Sequence, residues 1–169
     1  MGPRSTAPFV DLVVDQCQAQ YGALYDIDFP QMLILSQPTP FYLDRPVRHD
    51  ELRLSILEGI YKLEDCGASF IAMPCNSAHL YFDELQTQAR VPLLNIVDET
   101  LLRLPKASRV ALFATKPTID SGVYQSGLQR AGRELIVDCE WQTTITSIIG
   151  NIKNGKLDRA SRDWLEVVS

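Results

Sequence analysis

Between Met73 and His79 the chain reads Met-Pro-Cys-Asn-Ser-Ala-His, setting a thiol, two short polar side chains and an imidazole close together. Cys75 follows an apolar run and precedes a helical pattern, so its sulfur is expected at a helix N-terminus. There, unpaired amides and the positive end of the helix dipole favour the thiolate over a thiol whose ordinary pKa is about 8.5. Such a group can take a proton and give it back. The amides of Asn76 and Ser77, with their short polar side chains, suit a carboxylate. Two other readings stay open: Cys75 fills space beneath a turn that Asn76 and Ser77 cap, or Cys75 and His79, four positions apart, form a nucleophilic dyad.

The other cysteines, Cys17, Cys66 and Cys139, form no CxxC pair and have no histidine at ligand spacing, which argues against zinc and against a disulfide framework. Cys17 lies on the apolar stripe of a helix, Cys66 just before a helix-ending glycine, and Cys139 between Asp138 and Glu140. All three read as structural thiols.

The elements that must position Cys75 alternate between short apolar runs and helical stripes. Phe9, Leu12, Val13 and Cys17 predict a helix over 7–20, with Thr6 as its cap. The run at 31–36 is bounded by prolines and suits a strand covered on both faces; a loop with Pro38, Pro40 and Pro46 follows. Asp50 is placed to cap a helix with the stripe Leu52, Ile56, Leu57, Ile60 and Leu63, stopped by Gly67. Next come a strand at 70–73, a helix over 78–88, a strand at 93–97 and a short helix from Asp98.

After the polar Lys106-Ala107-Ser108 the pattern restarts: a strand at 110–114, a helix over 121–131, a strand at 134–137, and helices near 143–154 and 159–168. Strands linked by helical crossovers make parallel sheets, which place ligand crevices beyond the carboxyl ends of their strands. The segments after Ser36, Met73 and Ala114 are therefore where function is expected.

The chain has 169 residues, 46% hydrophobic and 22% charged, which fits an ordinary soluble globular chain of one domain or of two small pieces sharing a core, and excludes a disordered, collagenous or coiled-coil one. No run of eighteen apolar residues occurs, and the first residues resemble neither a signal nor a transit segment, so a cytoplasmic location and no membrane are expected. A net charge of −5 with scattered Lys and Arg argues against a nucleic-acid partner. Met1-Gly2 with Thr6 matches a myristoylation pattern literally, but Pro3 after the glycine counts against it.

Three blocks, GASFIAMPCNSAH at 67–79, VPLLNIVDET at 91–100 and ATKPTIDSGVY at 114–124, resemble the aspartate/glutamate racemase family. Met1 to Thr6 looks like the end of that family's Gly-Gly-Met-Gly-Pro loop. The resemblance implies two similar, flavodoxin-like αβ lobes with parallel sheets and an active site between them. It implies racemisation of an acidic amino acid without cofactor or metal, aspartate being preferred to glutamate, in a cytoplasmic homodimer. Inverting a stereocentre needs an acid/base group on each face of the α-carbon, and two cysteines do this in the family, one per lobe.

By the same resemblance Cys75 matches the first catalytic cysteine. Asn76 and Ser77 hold the α-carboxylate, helped by Thr115 and Thr118, and Arg45 aligns with an arginine that recognises the side-chain carboxylate, for which a guanidinium fork is well shaped. Lys153 occupies the place of a lysine with a related role.

The family's second block, Gly-Cys-Thr-Glu, follows a helix that here corresponds to 159–168, and its first strand precedes the N-terminal loop; neither is found in these residues. The expectation is a first lobe over 1–105 lacking its first strand and a second over 106–169 truncated before its catalytic cysteine, with impaired turnover and exposed edges that favour association. The alternative is a non-catalytic carboxylate-binding or interaction protein on the same scaffold. Decarboxylases of the superfamily keep the second-lobe thiol and lack the first, the reverse of this pattern.

Overall fold

The structure, a computed structural model, describes residues 3–42, 44–105 and 109–168. Its elements group into two compact units. One takes in the described residues up to Phe41, Pro46–Cys75 and Asp83–Leu94; the other takes in Tyr42, Asp44, Arg45, Asn76–Phe82 and the described residues from Asn95 onward. The expected junction near residue 106 and the Met1-Gly2 pattern lie outside the described residues.

In the first unit α1 spans Pro3–Tyr21 and α2 spans His49–Asp65. Thr6 and Asp50, expected as caps, both lie inside the first turns of these helices instead: α1 begins with Pro3, whose missing N–H costs nothing at a helix start, and α2 begins after Arg48. The apolar face of α2 buries Leu52, Ile56, Leu57 and Ile60 as its spacing predicts. Its end is a Schellman motif: Gly67 takes φ +87°, its N–H reaches Glu64 O at 2.9 Å, and Ala68 N–H reaches Leu63 O at 3.0 Å.

Strand β1 (Ile71–Ala72) pairs in parallel with β2 (Leu93–Leu94), joined through α3 (Phe82–Gln88). Ile71, Met73, Leu93 and the fully enclosed Leu85 form core around this pair. The strand expected over 31–36 is not a strand. Met32, Leu33 and Ile34 are exposed, and only Leu35, with Gln37, reaches α2, where the two lie over Gly59 so closely that a Cβ there would sit 3.5 Å and 3.4 Å from their side chains. An apolar run makes a strand only where a neighbouring edge offers a hydrogen-bond ladder. Here one residue of the run packs on a helix and the others face outward.

The second unit holds α4 (Ile96–Arg103), β3 (Arg109–Ala111), α5 (Lys116–Asp120), α6 (Val123–Arg130), β4 (Glu134–Ile136), α7 (Cys139–Lys153) and α8 (Leu157–Val168). Strands β3 and β4 run parallel with Val110 opposite Leu135. The strand expected at 93–97 stops at Leu94 because Asn95 caps α4, its Oδ1 accepting from Val97 N–H at 2.9 Å. The helix expected over 121–131 is α6, and the short α5, not expected from the sequence, precedes it, the two being separated where Gly122 takes φ +71°. Helices α7 and α8 pack around Ile145, Ile148 and Ala160, with Phe113 between Trp141 and Trp164 at ring distances of 5.2 and 5.0 Å. Among the described residues no helix is long and apolar enough to cross a membrane.

Candidate functional site

Met73 is buried at the end of β1, and Pro74 removes a backbone donor, so the chain turns sharply: Cys75 N–H donates to Met73 O at 2.7 Å. The half-buried Cys75 then opens onto a 3₁₀ helix, Asn76–Tyr81, ahead of α3. This corrects the α-helix expected over 78–88. Tighter winding brings side chains three apart onto one line, and Asn76 and His79, so aligned, each bind a different element of the second unit.

Three of the polar residues singled out in sequence come together in that unit. Ser77 Oγ lies 3.5 Å from Thr115 Oγ1, which lies 3.0 Å from Thr118 Oγ1. Thr115 precedes α5, and Thr118 in its first turn is 1% exposed, while Ser77 is buried and Asn76 is exposed. Gln142 of α7 donates to Ala114 O at 3.2 Å, fixing the backbone ahead of Thr115. The hydroxyls thus form a chain from the interior to the segment that follows Cys75.

Tyr124 was missed in sequence. Its hydroxyl donates to Asn76 Oδ1 at 2.6 Å, and burial pushes its phenol pKa up, so it keeps its proton and stays a donor. The block at 114–124 ends on this residue, but a tyrosine on a helix reads as core. His79 is buried; its Nε2 accepts Ile96 N–H at 3.1 Å and its ring stacks on Phe82 at 5.6 Å. That nitrogen supports the start of α4 and has no lone pair left to serve a Cys–His dyad.

Arg45 and Lys153 stand apart from this hydroxyl chain in what holds them. The Arg45 guanidinium lies 4.4 Å over the Tyr42 ring and donates to Asp44 at 3.2 Å, and this hydrogen bond holds the Asp44 carboxyl below its usual range. Lys153 is exposed at the far end of α7, about 16 Å along the helix from Gln142 at 1.5 Å per residue. Cys139 opens α7, and its side chain lies outside what the structure describes. An open groove along α7 and α8 is lined by Ile145, Ile148, Ile152, Trp164 and Leu165. With no charged group among the described residues of its lining it is ill suited to a zwitterion. No group of three or more His, Cys, Asp or Glu suited to a metal occurs among the described residues.

A family model described as Asp/Glu/Hydantoin racemase matches residues 1–169. The broad specificity amino-acid racemase RacX of Bacillus subtilis (strain 168) is 49% identical over 154 residues, 90% of this chain and 68% of that protein. The glutamate racemase of Aquifex aeolicus (strain VF5) is 34% identical over 77 residues, 43% of this chain and 30% of that protein. Among solved structures, the aspartate racemase of Picrophilus torridus superposes with a TM-score of 0.78 at 24% identity, covering 96% of this chain and 68% of its own. An aspartate racemase homologue from Pyrococcus horikoshii OT3 gives 0.69 at 24% identity, covering 87% and 65%. At that identity the structures establish a shared fold.

Proposed function

The chain belongs to the Asp/Glu/hydantoin racemase family, and we propose that it inverts the α-carbon of an acidic amino acid by cofactor-independent, thiol-based proton transfer, with Cys75 as one of the acid/base groups. One observation carries this reading: the two residues directly after Cys75 are each held by a polar partner from the block at 114–124, Asn76 by the Tyr124 hydroxyl and Ser77 by Thr115, which in turn meets Thr118. Asn76 and Ser77 donate to the α-carboxylate, Thr115 assists them, and the buried Thr118 holds Thr115 in place. Hydrogen bonds to that carboxylate stabilise charge as the α-carbon loses its proton. Cys75 removes the proton from one face; a second acid/base group must serve the opposite face for inversion.

Arg45 binds the distal carboxylate by exchanging its hydrogen bonds to Asp44 for two to the substrate. This favours aspartate, with glutamate accepted, and Lys153 assists from the end of α7. The relative described as a broad specificity amino-acid racemase makes the range of side chains the first thing to measure. The test is α-deuterium uptake by each enantiomer of aspartate, glutamate and neutral amino acids in D₂O, followed by NMR together with optical rotation. Uptake with inversion supports two-base racemisation, and uptake without inversion supports a single working face at Cys75. Binding of aspartate with no uptake by either enantiomer would replace the reading with that of a carboxylate-binding protein.

A further inference from the structure

An asparagine amide has two unlike ends, an oxygen that only accepts and a nitrogen that only donates, and a half-turn about its last side-chain bond exchanges them. A carboxylate is attracted by one end and repelled by the other. Asn76 is exposed, so nothing in its own packing decides which end faces outward. Its oxygen is bonded by the Tyr124 hydroxyl at 2.6 Å, and Tyr124 itself is only 7% exposed.

Tyr124 is held rigidly. It stands in the first turn of α6, just after Gly122 at φ +71° redirects the chain from α5. The neighbouring Gln125 side chain donates to Ile119 O at 2.6 Å, stitching the start of α6 to α5. The phenol is therefore a fixed donor on a short, braced corner.

We propose that Tyr124 is a positioning residue: by occupying the Asn76 oxygen it keeps the Asn76 N–H₂ turned toward the substrate's carboxylate. This rests on the carboxylate role given to Asn76 above. Tyr124 touches no reacting atom and acts only through that amide. Without the phenol hydroxyl the amide samples both orientations, and one of them sets an oxygen against an anion.

Succinate, a dicarboxylate with no amino group to react, tests this without requiring turnover. Its affinity is measured by calorimetry for the full chain, for Tyr124→Phe, for Asn76→Ala and for the double variant, with melting temperatures alongside. The expected result is roughly a three- to tenfold weaker affinity in Y124F, the span of one hydrogen bond, and no further loss when Y124F is added to N76A. In the free protein the Asn76 side-chain ¹⁵N–H₂ pair moves toward its solvent-exposed position in Y124F. Unchanged affinity in Y124F, the same loss in both backgrounds, or no succinate binding by the parent chain each overturns the proposal. Succinate binding that depends on Tyr124 in a chain that exchanges no α-hydrogen supports the positioning role and sinks racemisation, so the two failures are told apart.

Discussion

Proton transfer at an α-carbon asks a side chain to lose and regain a proton near neutral pH, which a thiol does and an alcohol does not. Cys75→Ser keeps the size and the turn at the end of β1 and is expected to lower α-deuterium uptake at least about a hundredfold, with an unchanged circular dichroism spectrum. A loss of less than tenfold would remove Cys75 from the reaction. At this scale the site was partly legible, because Cys75, Asn76 and Ser77 are contiguous and Thr115 and Thr118 share one block. Tyr124 was not, since its partner lies 48 positions away and its own environment looks like core. The contacts of Arg45 with Tyr42 and Asp44 were equally hidden, although all three are near neighbours in sequence. Which of several local partners a long cation takes depends on the path of its loop.

The first unit relies on a carboxylate where helix electrostatics alone would not place one. Glu64 sits in the last turn of α2, the negative end of the helix, with only 2% of its side chain exposed. It accepts hydrogen bonds from Arg90 Nε at 2.7 Å and from the backbone N–H groups of Arg90 and Val91, which brings the chain into β2. Burial works against its charge, but the hydrogen bonds from Arg90 and Val91 and the charge of Arg90 outweigh it, so its pKa lies below the ordinary carboxylate value. A depressed folded pKa means stability that is present above the unfolded value and lost as pH falls through the folded one. Glu64→Gln is therefore expected to lower stability at pH 7 and to flatten the decline below about pH 4, where Glu normally protonates. Urea unfolding of both proteins between pH 3 and pH 7 measures this, and parallel pH profiles would refute it. The end of α2 was readable in sequence because Gly67 supplies the left-handed residue a Schellman turn requires. The fate of 31–36 was not, because an apolar run has the same appearance whether it joins a sheet or touches a helix through a single residue.

At the scale of the whole molecule, 46% hydrophobic content is divided between units that each bury their own aliphatic residues, among them Leu85 in the first and Leu128 in the second. Leu128 is 2% exposed on α6, the helix that carries Tyr124. Leu128→Ala is expected to cost about 2–5 kcal/mol through lost burial and the cavity left behind, read as a lower urea midpoint. A cost under about 1 kcal/mol would mean that this face of α6 is not a packed core. The chain leaves the first unit after Cys75 and returns to it at Asp83.

What the sequence determined by itself was local or already assembled in short blocks: the amphipathic stripe of α2, the glycine that ends it, the parallel character of the strands and the family that its three motifs identify. Those features depend on residues within a turn or two of one another, where spacing is geometry. Tertiary structure alone decided that 31–36 stays off the sheet, that the segment after Cys75 winds as a 3₁₀ helix, and that the Asn76 oxygen meets Tyr124. Each of these depends on a partner distant along the chain, and a hydrogen bond or a packed face has no identity until that partner arrives.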